Sequence, residues 1–319
     1  MSRPLNAFIH TMSCEAQDIV SLDLRPVAGE TFPAFTAGAH IDLHLPNGMV
    51  RSYSLKNRPD DAQRYVIGVL KDRASRGGSR CVHETLRVGM PIAISAPRNA
   101  FALHEDAPHS VLVAGGIGIT PLLSMAKRLA GIGASVEVIY LARSAHSAAF
   151  VDELQTLGIA LHLHFDDENA GPADLQALLA ARNQPGTHYY ACGPAVMLDH
   201  FTACCERLGH GERSHIERFN AVAVAAAQDA QSRYTVVLQR SRKTLEVQRG
   251  QSLLQAIRQC GVQPLTSCEE GLCGACETLV LEGIPDHCDS VLSDAERQAN
   301  QRMLICVSGC KSQRLVLDL

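Results

Sequence analysis

The sequence predicts a multidomain protein. A small antiparallel β-barrel comes first, an α/β unit on a parallel sheet second, and a small mixed α+β unit last, with boundaries at 1–104, 105–228 and 229–319. Three observations carry this. Up to about residue 104, short β-like runs alternate with turn signals. From 105 to about 220, apolar strands alternate with helical segments, the pattern of βαβ units. From 234 onward, strands and one capped helix surround a cluster of cysteines. A length of 319 residues accommodates two or three domains of roughly 100–200 residues each.

In the first segment the runs "AHIDLHL", "RSYSL", "RYVIGVL" and "PIAISA" are separated by "PNG", "NRPDD" and "RVGMP". "RSYSL" puts Arg51 and Tyr53 on one strand face and Ser52 and Ser54 on the other. "SRGGSRCVHETL" places Gly77, Gly78 and Ser79 at the opening of a possible helix, with Arg76 beside them. Such a turn suits a phosphate. Taken alone, the first reads better as an ordinary strand with alternating faces, and the second is a weak signal.

The second segment runs strand "SVLVA", turn "GGIGITP" and helix "LLSMAKRLAGIG". It continues with strand "VEVIYLA", helix "AAFVDELQTLG", strand "IALHLHF", helix "PADLQALLAAR", strand "HYYAC" and helix "AVMLDHFTACCERLG". Gly115, Gly116 and Gly118 lie between the first strand and its helix, where a ligand phosphate can approach backbone and helix N-terminus. A tight turn with positive φ would also explain them. Thr120 is expected as the N-cap and Pro121 as the first helical residue. "ACGPAVM" ends a later strand at the same sheet edge, where open α/β sheets bind ligands. Cys192, taken alone, reads as a buried thiol. Residues 220–233, rich in small side chains, are read as an interdomain linker, or as one helix on alanine content.

The third segment has strands "YTVVLQ" and "KTLEVQ", a helix "SLLQAIRQCG" with serine near its start and glycine at its end, then "ETLVLEG", "RMLICVSG" and "RLVLDL". Between them stands "SCEEGLCGAC". Cys268, Cys273 and Cys276 are spaced C-x4-C-x2-C, and Cys306 follows after twenty-nine residues, from a strand across the domain. That is the plant-type [2Fe–2S] spacing. Gly271, Gly274 and Ala275 let the backbone wrap closely and aim its N–H groups at the sulfurs. Structural zinc usually takes two short pairs and fits this spacing poorly. Of the eight other cysteines, Cys288 and Cys310 flank the ligand segment but lack the spacing.

Composition excludes several classes. A net charge of −4 with no basic stripe argues against a nucleic-acid surface. No apolar run reaches the ~18 residues of a membrane span, and "MSRPLNAFIH" has no signal-like core. A cytoplasmic protein is expected, where twelve cysteines do not imply disulfides.

In the order R-x-Y-S, R-G-G-S, G-G-I-G-I-T-P, C-G-P and C-x4-C-x2-C…C, the whole chain resembles the phthalate dioxygenase reductase family, which includes reductases of vanillate and related aromatic O-demethylases. The resemblance implies a flavin barrel, a pyridine-nucleotide domain and a C-terminal β-grasp ferredoxin domain. It implies FMN, NADH and one [2Fe–2S] cluster, with electrons passed to a separate Rieske-type oxygenase. Arg51, Ser52, Tyr53 and Ser54 would contact the flavin, Ser54 near its N5 edge. Gly77, Gly78 and Ser79 would take the FMN phosphate, and Gly115, Gly116, Gly118 and Thr120 would line the nucleotide site. Cys192, Gly193 and Pro194 would sit by the nicotinamide, with Phe219 and Glu217 beside the flavin. Cys268, Cys273, Cys276 and Cys306 would hold the cluster. Glu269 and Glu270 beside the cluster suit an acidic docking patch, although two exposed glutamates are more often just a solvated loop. Rivals are an FAD-containing, ferredoxin-fused reductase of another monooxygenase and a non-enzymatic tetra-cysteine zinc protein. Ser144 stands where some relatives carry an acidic residue that selects against a 2′-phosphate, which leaves strict exclusion of NADPH open.

Overall fold

The structure, a computed structural model, describes residues 4–61, 63–73, 76–219, 233–248 and 250–319. The chain divides into two compact units, Ser2–Phe219 and Asn220–Leu319. The linker expected at 220–233 lies, except for Arg233, outside the described residues.

The first unit opens with strands β1 (Leu5–Ala16), β2 (Ile19–Pro26), β3 (His40–His44), β4 (Val50–Ser54) and β5 (Tyr65–Leu70), then helix α1 (Gly78–Glu84) and β6 (Pro91–Ile94). They form one antiparallel sheet in the order β4-β3-β6-β1-β2-β5. Leu55, just past β4, bridges Ile67 in β5, so the two edges meet and the sheet closes as a barrel. Closure removes exposed edges and points alternate residues inward. Ile9, Leu22, Leu24, Ile41, Leu43, Leu55, Tyr65 and Ile67 are fully buried there. The pairing of β1 with β2 is the longest in the barrel, yet neither strand stands out in the sequence. Register shifts between Ile9 and Thr11 and between Cys14 and Ala16 break the two-residue period that would reveal β1.

The unit continues with β7 (Ser110–Gly115), α2 (Ile119–Gly131), β8 (Val136–Ala142), α3 (Val151–Gln155), β9 (Ala160–Phe165), α4 (Leu175–Ala180), β10 (His188–Cys192), α5 (Ala195–Arg207) and β11 (Ser214–Glu217). The five strands are all parallel, in the order β11-β10-β7-β8-β9. Strand order reverses between β7 and β10, so the chain leaves these two neighbours toward opposite sides and opens a crevice at their C-terminal ends.

Two local expectations are corrected here. A 3₁₀ turn at Gly116–Gly118 runs straight into α2, so the helix starts at Ile119 with Gly118 as its cap residue. Thr120 is therefore inside the first turn, where its hydroxyl donates to Ile117 O at 3.1 Å. The helix expected over 148–158 is only Val151–Gln155, because Phe150 has φ +64° and starts it late. That conformation sends the Phe150 ring against Lys56, whose Nζ lies 4.2 Å from the ring centroid.

The second unit contains β12 (Tyr234–Leu238), β13 (Lys243–Val247), α6 (Leu253–Gln259), β14 (Glu277–Glu282), β15 (Pro285–Asp286), α7 (Asp294–Ala299), β16 (Arg302–Leu304), β17 (Gly309–Cys310) and β18 (Arg314–Leu317). Its main sheet has the order β13-β12-β18-β14-β16, with a parallel β12–β18 pair at its centre. α6 begins as the sequence predicts: Ser252 Oγ accepts from Gln255 N at 3.2 Å. Its Leu253, Leu254 and Ile257 pack on Val236, Leu238 and Leu315 of the sheet. Among the described residues, no helix is long and apolar enough to cross a membrane.

Candidate functional site

The crevice at the switch point is built by two loops in close contact. A Cβ on Gly118 would lie 2.1 Å from Cys192 O, and one on Gly115 would lie 2.6 Å from Met197 Sδ and 2.7 Å from Pro194 Cδ. Gly193 is equally tight, with Met197 Cε at 2.7 Å and Gly115 Cα at 3.0 Å. These glycines let the turn after β7 and the Cys192–Pro194 loop touch. Gly116 differs: it has φ +54°, and a Cβ there would meet nothing within 4 Å, so its outer face is open to a ligand.

Parallel register brings the chemistry together. Cys192 pairs with Ala114 on one side and with Glu217 of β11 on the other. Glu217 Oε2 in turn accepts from Ser54 Oγ at 3.3 Å, so the end of barrel strand β4 reaches the end of the parallel sheet. Burial pushes the Glu217 carboxyl up to about 8, with the Ser54 hydrogen bond pulling the other way. The Cys192 thiol is fully buried and is pushed well above its ordinary value, by burial first and then by Glu217. Cys192 is thus a neutral thiol at neutral pH. Phe219 packs against the apolar cluster that contains Cys192.

Along β4 the other expected residues lie in sequence. Ser52 Oγ donates to Asp42 Oδ1 at 2.7 Å, and Arg98 donates to the other Asp42 oxygen at 2.7 Å. Asp42 and Arg98 were not singled out by sequence reasoning, although Asp42 sits opposite Ser52 in register. Tyr53 is pushed up to about 12, by burial first, against the pull of Arg51. Arg51 reaches α1: a Cβ on Gly78 would lie 2.7 Å from Arg51 Cγ and 2.8 Å from its Nε. Gly77 caps α1 at φ +112°, and Ser79 Oγ accepts from Asp72 N at 3.2 Å. Arg51, Gly77, Gly78 and Ser79 therefore form one neighbourhood, with donors suited to a phosphate.

The cysteine centre belongs to the second unit. Cys268, Cys273, Cys276 and Cys306 are all buried, at most 9% exposed, although all are free thiols. They contact in two pairs, Cys268 with Cys273 and Cys276 with Cys306. Peptide N–H groups of Cys268 and Glu270 donate to Cys273 Sγ at 3.5 Å and Cys268 Sγ at 3.3 Å. Cys268 is drawn down to about 7, first by its hydrogen bond with Cys273, with backbone N–H groups assisting against burial. Gly271 and Gly274 hold the loop at φ +71° and +70°, and a Cβ on Gly271 would strike Val307 at 2.7 Å. Two thiol pairs with peptide donors aimed at sulfur fit a cluster of two irons and two sulfides. Cys306 does not come from a strand. β16 ends at Leu304, and Cys306 lies in the turn that follows. Cys310 is turned away toward Ser312 O, 3.0 Å from its Sγ. Glu269 is engaged by Arg258 at 2.5 Å, which removes much of the charge expected of an acidic patch. Ser144 caps the 3₁₀ turn Ala145–Ser147 through a reciprocal bond with Ser147.

Comparison with known proteins follows this division. Residues 236–311 match the family described as 2Fe-2S iron-sulfur cluster binding domain. Residues 91–214 match the dimethylamine monooxygenase subunit DmmA-like N-terminal domain. The chain is 47% identical over 316 residues to the phenoxybenzoate dioxygenase subunit beta of Ectopseudomonas oleovorans, covering 99% of this chain and 98% of that protein. It is 44% identical to the vanillate O-demethylase oxidoreductase of Pseudomonas sp. strain HR199, covering 99% and 100%. Among solved structures it is similar to a phthalate dioxygenase reductase described as a modular structure for electron transfer from pyridine nucleotides to [2Fe-2S]. The TM-score is 0.72, with 36% identity, 99% of this chain and 98% of that chain.

Proposed function

Since the chain belongs to the phthalate dioxygenase reductase family of flavin and [2Fe–2S] oxidoreductases, we propose that it is the NADH-dependent reductase of a Rieske-type oxygenase or O-demethylase acting on an aromatic compound. The observation that carries the reading is the line Ser54–Glu217–Cys192, which joins the barrel to the crevice of the parallel sheet. When bound, FMN takes an electron pair from NADH as hydride and releases electrons singly, as a [2Fe–2S] cluster requires.

The residues then divide the work. Arg51, Gly77, Gly78 and Ser79 hold the FMN phosphate. Tyr53 and Ser54 orient the flavin ring, and Ser52 contributes through its backbone because its hydroxyl is committed to Asp42. Gly115, Gly116, Gly118 and Thr120 admit the nucleotide, with Cys192, Gly193 and Pro194 beside the nicotinamide. Cys192, fully buried and held neutral, supplies no nucleophile. Burial favours the protonated form of Glu217, so it accepts from Ser54 without placing a full charge there. Phe219, packed against the apolar cluster that contains Cys192, would lie beside the flavin. Cys268, Cys273, Cys276 and Cys306 hold the cluster, and the partition 1–104, 105–228 and 229–319 follows the three cofactor roles. The protein works in the cytoplasm beside its oxygenase.

The test uses the protein as isolated. Acid-released flavin should chromatograph as FMN, with iron and acid-labile sulfide in equal amounts, and anaerobic NADH should bleach the flavin faster than NADPH does. Released FAD would overturn the cofactor assignment. A colourless, zinc-loaded protein would overturn the function.

A further inference from the structure

The N-terminal edge of the parallel sheet carries a group of side chains that electron transfer does not use. His188 opens β10, His215 is the second residue of β11, and His104 comes from the segment between β6 and β7. Tyr190 pairs in register with His215, and His188 lies two residues before it, so these side chains share one face. His188 Nδ1 and His215 Nε2 are 3.0 Å apart. Their rings are near-parallel at 11° with centroids 5.2 Å apart, which is an edge-to-edge contact through those nitrogens. His104 stacks with His215 at 5.0 Å and lies tilted by 37° against His188 at 4.7 Å. One nitrogen from each of the three lies within 4.8 Å of the others. The backbone N–H of His104 donates to Tyr190 OH at 2.9 Å, and the Tyr190 ring stacks on His215 at 4.7 Å, so the group is seated on a buried aromatic floor.

We propose that His104, His188 and His215 form a site for a divalent transition-metal ion of the zinc class, with the fourth position open to water. Tetrahedral zinc with Zn–N bonds of about 2.0–2.1 Å needs nitrogens roughly 3.3 Å apart. The His188–His215 pair is already at 3.0 Å, and His104 is exposed and can close the remainder by turning its side chain. All three ligands are imidazoles, which suit zinc, copper and nickel and not magnesium or calcium. Arg213 is a nearby charge that opposes a cation.

The site is separate from the redox crevice. His188 and Cys192 stand at opposite ends of β10, about 13 Å apart at the ordinary strand rise. A bound ion would tie the segment leaving the barrel to edge strand β11, whose far end carries Glu217.

The test is zinc binding by the oxidised holoprotein, read by competition with a chromophoric chelator and by thermal unfolding with and without Zn²⁺. The parent should take up one equivalent and unfold at higher temperature with zinc, since a ligand of the folded state stabilises it. Outer-shell changes at metal sites cost about 10–100-fold in affinity. His188→Ala, His215→Ala and His104→Gln should each therefore lose at least about tenfold, together with the zinc-dependent thermal shift. His104→Gln is at an exposed position and should keep the visible spectrum and the zinc-free rate of flavin reduction. Zinc uptake that is absent in the parent, or equal in the parent and His104→Gln and His188→Ala, would overturn the site; the second result would mean that thiols elsewhere take the ion.

Discussion

Glu217 carries a carboxyl that loses water on folding, and its protonated form is favoured as a result. The sign of its contribution follows. Its folded-state value of about 8 lies above the unfolded value near 4.5, so the folded state binds more protons in between. Stability from this group is fully present below about pH 4.5 and is lost as pH rises through about 8. Glu217→Gln removes the titration, so its melting temperature relative to the parent should increase from pH 5 to pH 9. Equal differences at both pH values would mean that the carboxyl is not shielded. At the cysteine centre, Cys273→Ser should lose iron and labile sulfide while NADH still reduces the flavin. A reduced-state EPR signal like the parent's would remove Cys273 from the ligands. Arg51→Ala and Ser79→Ala should each weaken flavin retention by about 1.5–3 kcal/mol, the size of a charged hydrogen bond, with little change in NADH affinity. Unchanged flavin content in both would count against the phosphate site.

At the scale of elements, the crevice depends on how closely two strand–helix turns approach. A methyl on Gly118 would collide with the backbone oxygen of Cys192, and backbone cannot swing aside as a side chain can. Gly118→Ala should cost about 1–3 kcal/mol in stability and weaken NADH binding by prising the turn after β7 from the loop after β10. Gly116→Ala meets no atom and suffers only from its φ of +54°, so it should be the milder change in thermal unfolding. The reverse ranking would show that open space at Gly116, and not loop contact at Gly118, governs the turn.

For the whole molecule, the compact unit Ser2–Phe219 already contains the barrel, the parallel sheet and their shared Ser54–Glu217 contact. A chain ending at residue 228 should therefore fold, bind FMN, accept hydride from NADH in stopped-flow measurements and reduce ferricyanide. It should not support an oxygenase, because it lacks the 2Fe-2S cluster binding domain matched at residues 236–311. Oxygenase turnover without that segment, or bound FMN that NADH cannot reduce, would break the proposed order.

What the sequence determined by itself was local or carried by fixed spacing. The apolar run of β7, the Ser252 cap of α6 and the C-x4-C-x2-C loop are each specified within about ten residues, where period, capping and turn chemistry act directly. Tertiary structure decided the rest. The left-handed Phe150 shortens α3 as its ring packs on Lys56, and a 3₁₀ turn moves the start of α2. "SHIE" becomes β11 only because β10 offers it a parallel edge, for the segment has no apolar run of its own. The pairing of Cys192 with Glu217 and the meeting of His104, His188 and His215 depend on which strands are neighbours and in what register. No residue spacing encodes that choice, since it is made by burying both faces of the sheet at once.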